Sequence, residues 1–176
     1  MTNPDLRLAA VLGNTTCRLA LMQGFEVRGV LVMPNADLRD PLAAARIGEF
    51  CARGIDGGSA DSDTDGSAMD FAEAHIIEAG ICSVVPPLQP VLDEILREAG
   101  IARRRAVTPA PSSFFPSVYR SMNTLGADRY CGALAARQDY GSPVIVADCG
   151  TATTVNVVDR DGVFLGGAIA AGIETA

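Results

Sequence analysis

The chain has 176 residues, of which 48% are hydrophobic and 20% are charged, proportions that are ordinary for a folded globular protein. Its formal net charge is -7 and every basic residue is arginine. Because such a chain offers no broad positive field, we expect no nucleic-acid partner. No apolar stretch approaches the roughly 18 residues that span a bilayer, and the N-terminus lacks an export signal. We therefore expect a cytoplasmic protein with no membrane partner.

The N-terminal part of the chain opens with three short apolar runs, at residues 6–12, 17–22 and 27–33, joined by tight turns. This pattern is typical of an antiparallel meander of three strands. An alanine-rich stretch predicts a helix over residues 41–53. The segment near residues 56–67 is rich in glycine, serine and aspartate, and we interpret it as an acidic loop insertion. Another helix is predicted over residues 69–79, with Gly80 as its stop.

The middle of the chain predicts a strand at residues 81–85, an amphipathic helix at 88–99 and a short strand at 106–108. Residues 109–116 are rich in proline and should be irregular. A helix with small residues along one side is predicted over residues 124–138. The pattern of the N-terminus then returns, with strands at 144–147, 153–158 and 163–165, separated by turns at 148–151 and 161–162.

The repeated strand–turn–strand–turn–strand pattern indicates an internal duplication. A meander followed by a helix and a further strand is the ribonuclease H-like half-domain of the actin-like ATPase and sugar-kinase folds. We therefore predict an α/β fold with a first half-domain over residues 1–140, which carries the acidic loop. Residues 141–176 should supply the first strands of a second half-domain, which we expect to be incomplete.

The turns Gly13-Asn14-Thr15 and Gly150-Thr151-Ala152-Thr153 carry the chemistry of phosphate binding. A tight turn between strands points backbone N–H groups at one anion. Glycine permits a close approach of the phosphate, and threonine hydroxyls add hydrogen bonds. Either motif alone is more typical of a plain hairpin, but their recurrence in the same strand pattern favours phosphate binding. Asp148 precedes the second turn, where it either binds a cation or stabilises the turn.

The sequence Gly126-Ala127-Asp128-Arg129 lies at the predicted start of a helix, where the helix dipole favours negative charge. Asp128 can accept a proton from a hydroxyl nucleophile that lies within hydrogen-bond reach. Arg129 can bind a carboxylate through two parallel hydrogen bonds. On these four residues alone, an N-terminal cap with a local ion pair is the alternative interpretation.

Five motifs in this order resemble the type III pantothenate kinases over nearly the whole chain, from about residue 6 to residue 172. They are Gly13-Asn14-Thr15, Ser83-Val84-Val85-Pro86, Leu125-Gly126-Ala127-Asp128-Arg129, Asp148-Cys149-Gly150-Thr151-Ala152-Thr153 and Gly166-Gly167-Ala168-Ile169. The resemblance implies ATP-dependent phosphorylation of pantothenate to 4'-phosphopantothenate, the first step of coenzyme A biosynthesis. It also implies a homodimer that uses Mg2+ and a monovalent cation, K+ or NH4+.

The resemblance further implies a role for individual residues. Asp128 would be the general base, and pantothenate would contact Tyr119, Gly126, Arg129 and Asn14. ATP phosphates would bind the two turns through Gly13, Thr15, Arg18, Gly150, Thr151 and Thr153. Asp148 would help to bind the monovalent cation.

The chain departs from the family at two places that bear on activity. Val11 stands where the family usually has an aspartate that helps to organise magnesium and phosphate. Family members also continue well past Gly172, so we expect the 176-residue chain to be weakly active or inactive, and Val11→Asp alone not to restore full activity. The alternative hypothesis is a non-catalytic or regulatory relative, similar to an accessory factor, that has lost activity for these two reasons.

Two further features have structural interpretations. Residues 61–66 match the first half of an EF-hand loop, but the closing glutamate position is Ala72, so an acidic insertion is favoured over calcium binding. The five cysteines include no C-x-x-C pair. Cys17, Cys82 and Cys149 lie in strand-like runs, and we expect them to be buried, reduced thiols.

Overall fold

The computed structural model describes residues 5–53 and 76–172. The predicted acidic loop, the EF-hand-like segment and most of the helix predicted over residues 69–79 lie outside these ranges. The chain divides into two compact units, Met1–Val107 and Thr108–Ala176. The predicted half-domain boundary at residue 140 stays a prediction.

The first unit contains a five-stranded mixed sheet with the strand order β3-β2-β1-β4-β5. Its strands are β1 (Leu6–Leu12), β2 (Thr16–Gln23), β3 (Glu26–Pro34), β4 (Ile76–Ser83) and β5 (Arg104–Ala106). The first three strands form the predicted antiparallel meander. β4 pairs in parallel with β1, and β5 pairs in parallel with β4.

One face of this sheet packs on two helices, α1 (Pro41–Arg53) and α2 (Gln89–Glu98). Every second residue of β1 is buried, because successive side chains of a strand point to opposite faces of the sheet. Leu8 and Leu19 of the sheet, Ile47 of α1 and Leu92 of α2 belong to the same buried core. The bounds of α1 are those predicted, and α2 lies within its predicted range.

The prediction of a helix over residues 69–79 is wrong for residues 76–79, the part of that range that the structure describes. Residues Ile76 to Ala79 belong to β4, and Gly80 lies inside that strand instead of ending a helix. β4 lies between β1 and β5, and its residues pair along the whole length of β1. Ladder hydrogen bonds and burial between two strands therefore outweigh the local helical spacing.

The second unit contains a three-stranded antiparallel sheet, β6 (Val144–Cys149), β7 (Ala152–Val158) and β8 (Phe164–Ala171). Helix α3 (Ala127–Tyr140) packs on β6 and β7. The core between them includes Phe115, Ala133, Val158 and Phe164. This sheet is the second meander that the sequence predicts. Among the described residues, no helix is long and apolar enough to cross a membrane.

Candidate functional site

The first predicted phosphate turn, Gly13-Asn14-Thr15, connects β1 to β2 as expected, and the Gly13 amide donates to the Thr16 carbonyl at 3.0 Å. Asn35, which follows β3, holds the turn from the protein side. Its backbone N–H donates to the Thr15 carbonyl at 2.8 Å, and its side-chain Nδ2 donates to the Gly13 carbonyl at 2.6 Å. With two carbonyls bound to Asn35, the shape of the turn is set by the neighbouring strand end.

Val11 and Arg18 lie directly opposite each other on β1 and β2, next to this turn. Val11 is 37% exposed and Arg18 is exposed. The exposed cation agrees with a role near phosphate oxygens. At the position where the resemblance calls for a carboxylate, however, the sheet presents an apolar side chain.

The second predicted phosphate turn, Gly150-Thr151, connects β6 to β7, and the Gly150 amide donates to the Ala152 carbonyl at 3.1 Å. Gly172, which follows β8, packs against this turn. A Cβ atom on Gly172 would lie 2.4 Å from the carbonyl oxygens of both Gly150 and Thr151. The end of β8 therefore supports the turn at a distance that only glycine permits.

Around the second turn, Asp148 is the penultimate residue of β6 and is exposed, and Thr153 of β7 is half-buried. Strand β6 extends two residues further than predicted and includes Cys149. The Cys149 side chain is exposed, so the expectation of a buried thiol is wrong there, whereas Cys17 and Cys82 are buried as expected.

The motif at residues 126–129 forms the start of α3. Gly126 is the last residue before the helix and has extended backbone angles, φ -58° and ψ 134°. Asp128 lies in the first turn, and its Oδ1 accepts a hydrogen bond from the Arg129 amide at 2.7 Å. A carboxylate at this position is favoured by the unpaired amides of the helix end.

The Arg129 side chain is buried and makes a hydrogen bond to β7. Its Nε donates to Oδ1 of Asn156 at 2.8 Å, and the two residues are 8% and 2% exposed. One terminal nitrogen of the guanidinium, Nη2, is buried and has no partner in the part of the chain that is described. A buried unpaired donor is uncommon in native proteins, so this nitrogen is a candidate contact for a ligand oxygen.

Sequence reasoning did not identify Asn156 or Asn35. For Asn156 a sequence clue existed, because one amide interrupts a run of β-branched residues in β7. This pattern indicates a polar residue on a buried face. It does not indicate the partner of that residue, Arg129, which is 27 residues away on a helix.

The strand register places Asp148 on the same face of the second sheet as Asn156. Asp148 pairs with Thr154 and Val146 pairs with Asn156, and alternate residues of a strand share a face. Arg129 contacts Asn156, whereas Arg137, further along α3, lies beside Gly162 past the other end of β7. The N-terminus of α3 therefore points toward the end of the sheet that carries the Gly150-Thr151 turn.

Tyr119 lies against β8. Its ring packs edge-on against Phe164, with the ring centroids 6.0 Å apart, and next to Gly166. Arg129 thus reaches the face of the second sheet that carries Asp148, with Asp128 next to it in sequence, while the described contacts of the Tyr119 ring are with β8. The first turn and Arg18 belong to the first unit.

The donor set fits the groups that the resemblance implies. Backbone amides, threonine hydroxyls and one arginine suit phosphate oxygens. The exposed Asp148 carboxylate suits a hard cation. In the described ranges, no three His, Cys, Asp or Glu side chains gather into a metal-binding group.

Two meanders, each with a glycine-threonine turn at its first hairpin, define an α/β protein of the actin-like ATPase fold. The ethanolamine utilization protein EutJ from Carboxydothermus hydrogenoformans is similar in fold, with a TM-score of 0.51 and 14% identity over 96% of this chain and 53% of that one. The family model of the type III pantothenate kinases matches residues 7–176 of this chain. The chain belongs to the type III pantothenate kinase family.

Two curated relatives support the assignment. A type III pantothenate kinase of Thermomicrobium roseum is 34% identical over 165 residues, which are 94% of this chain and 58% of that protein. One from Rubrobacter xylanophilus is 33% identical over 168 residues, with the same two coverages. The chain thus spans little more than half the length of the curated relatives that it matches.

Proposed function

We propose that the protein phosphorylates pantothenate with ATP, producing 4'-phosphopantothenate for coenzyme A biosynthesis in the cytoplasm, and that it acts as a homodimer. The observation that carries the proposal is the buried Arg129 guanidinium. It is held through Nε by Asn156, has an unpartnered Nη2 among the described residues, and is adjacent in sequence to Asp128 at the start of α3. Pantothenate has both a carboxylate for such a cation and a hydroxyl for such a base.

Asp128 is the proposed general base. Because its Oδ1 accepts the Arg129 amide, the carboxylate is oriented at the helix end and Oδ2 is the oxygen that takes the proton from the pantothenate hydroxyl. Arg129 binds the pantothenate carboxylate, with Gly126, Tyr119 and Asn14 as further contacts. Binding at both ends of the substrate fixes the hydroxyl relative to Asp128, which lowers the entropic cost of the reaction.

Each of the two glycine-threonine turns is proposed to bind phosphate oxygens of ATP. Gly13, Thr15 and Arg18 serve the first turn, and Gly150, Thr151 and Thr153 serve the second. Asp148 helps to hold the monovalent cation, K+ or NH4+. Bound Mg2+ and the monovalent cation would neutralise charge on the transferring phosphoryl group. The support given by Gly172 to the second turn keeps its amides oriented before ATP binds.

Val11 favours a second candidate function, that of a non-catalytic relative that binds these ligands without turnover. The exposed position opposite Arg18 holds no carboxylate. Without it, binding can persist through Arg18 and the turn while the organisation of magnesium and phosphate is weakened.

A coupled assay of ADP release with pantothenate, with and without K+, tests the proposed function. Asp128→Asn should lower kcat by about 10²–10⁴-fold because the proton acceptor is removed. The matched control is Asp139→Asn, an exposed position on the same helix, which should leave kcat unchanged. Turnover of Asp128→Asn within threefold of the parent would show that Asp128 is not the base.

The same assay separates the two candidate functions when it is combined with calorimetry. Pantothenate and ATP that bind to the parent chain without any turnover would favour the non-catalytic relative. A folded parent chain that binds neither ligand would refute both proposals.

A further inference from the structure

The pairing of Arg129 with Asn156 has the features of a prepared anion site. Arginine is rarely buried without a carboxylate, because removing its charge from water is costly. Here the partner that uses Nε is a neutral amide. The amide orients the guanidinium and does not cancel its charge, so the cation stays available to an anionic ligand.

The backbone around Asn156 is closely confined. β7 is the central strand of its sheet, and Asn156 pairs with Val146 on one side and with Gly167 on the other. A Cβ atom on Gly167 would lie 1.7 Å from the Val155 carbonyl oxygen and 2.9 Å from the Asn156 Cα. The absence of a side chain at Gly167 lets β8 approach β7 closely, and the Asn156 backbone is held between two strands.

A side chain on such a backbone is a rigid reference point for the guanidinium. The planar guanidinium has five N–H donors in a fixed geometry. Once Nε is bound to Asn156 Oδ1, the plane of the group and the direction of its remaining donors are restricted. Within the described ranges, Nη2 is then the buried donor of this group without a partner, and one carboxylate oxygen would satisfy it.

We infer that Asn156 is a positioning residue that orients Arg129 and leaves Nη2 for a carboxylate oxygen of the substrate. The identity of that carboxylate rests on the proposed function. The orienting contact itself rests only on the distance and burial of the two side chains.

The test compares Asn156→Ala, which removes the acceptor, with Asn156→Asp, which keeps one. Asn123→Ala, an exposed amide in the same unit, is the control. In titration calorimetry, Asn156→Ala should bind pantothenate about tenfold more weakly, because the guanidinium is no longer oriented. Its affinity for ATP should stay within twofold of the parent. Asn123→Ala should retain pantothenate binding. Asn156→Asp keeps the acceptor but adds a negative charge beside the guanidinium, so its pantothenate affinity should lie between that of Asn156→Ala and that of the parent.

A double-mutant cycle with Arg129→Ala separates positioning from a general structural effect. If Asn156 acts through Arg129, then Asn156→Ala should have almost no further effect on pantothenate affinity once Arg129 is absent. If Asn156→Ala lowered pantothenate affinity equally in the parent and in Arg129→Ala, the inference would be overturned. So would a parent-like pantothenate affinity in folded Asn156→Ala, or an equal loss of ATP affinity.

NMR of the unmodified protein tests the hydrogen bond between Arg129 and Asn156 even if Asn156→Ala does not fold. The Nε–H of Arg129, assigned with Arg129→Lys, should exchange slowly with solvent because it is buried and hydrogen-bonded. Exchange at the rate of exposed arginines would overturn the inference. A protected Nε–H in a protein that does not bind pantothenate would refute the proposed substrate and still support Asn156 as the positioning residue.

Discussion

Gly166 offers a direct test of the packing around Tyr119, which is one of the proposed pantothenate contacts. The residue has φ +100°, a region that glycine adopts readily and that residues with a Cβ atom avoid. A Cβ atom there would lie 2.5 Å from Cδ2 of the Tyr119 ring. Gly166→Ala therefore imposes a backbone cost and also displaces the ring from its contact with Phe164.

The two costs can be estimated separately. A left-handed conformation costs an alanine about 1–2 kcal/mol, and loss of an edge-on aromatic contact costs about 0.5–1.5 kcal/mol. Gly166→Ala should thus lower the free energy of unfolding by about 1.5–3.5 kcal/mol. The control is Gly141→Ala, at a residue with φ +81° where an added Cβ atom would meet no heavy atom within 4 Å. Gly141→Ala should lower the free energy of unfolding only through the cost of its backbone conformation.

Urea unfolding followed by tyrosine fluorescence measures both variants, because the protein has three tyrosines and no tryptophan, and Tyr119, Tyr130 and Tyr140 all lie in the second unit. In a Tyr119→Ala background, Gly166→Ala should lower the free energy of unfolding by less than it does in the parent, whereas the effect of Gly141→Ala should be unchanged. Gly166→Ala should also raise KM for pantothenate, while Gly141→Ala should not. An equal loss of stability for Gly166→Ala in the parent and Tyr119→Ala backgrounds would refute the reasoning.

Two further predictions concern the first unit. Asn35→Ala removes the hydrogen bond to the Gly13 carbonyl and should lower the free energy of unfolding by about 0.5–1.5 kcal/mol. It should also weaken ATP binding in calorimetry, and ATP affinity equal to that of the parent would contradict the prediction. Burial raises the pKa of Cys17 from its ordinary value of 9.0 to about 11. Between these values the unfolded chain loses the proton first, so stability should fall as pH rises from 9 to 11. Urea midpoints should fall less steeply for Cys17→Ala, and identical slopes would exclude this cause.

Much of the architecture could be predicted because its causes are local. Short apolar runs joined by tight turns identified β1 and the rest of the first meander, and the same pattern identified the second. Both glycine-threonine motifs lie at hairpin turns as predicted, because turn chemistry depends on a few adjacent residues. Helix α1 has its predicted bounds because helical spacing in an alanine-rich stretch is also a local signal. The order of the motifs was also sufficient to indicate the family that the comparisons confirm.

Other features depended on partners that are distant in the sequence. Residues 76–79 have helical spacing, yet they form part of β4 because β1 and β5 are on either side of them. Asp128 and Arg129 were recognisable as candidate chemistry, and their roles as base and substrate contact stay predictions. The buried hydrogen bond that orients Arg129 could not be predicted from its neighbours in sequence, because Asn156 meets it only when α3 packs on β7.

The sequence by itself determined the strands and helices of local origin, the two turns and the family, since each depends on short patterns or on their order. The tertiary structure decided which polar groups are buried together and which remain without a partner. The contacts of Asn35 with the first turn and of Asn156 with Arg129 were decided by the tertiary structure in this way. Hydrogen-bond satisfaction is a property of the packed chain, because a donor finds its acceptor only after distant segments have been brought into contact.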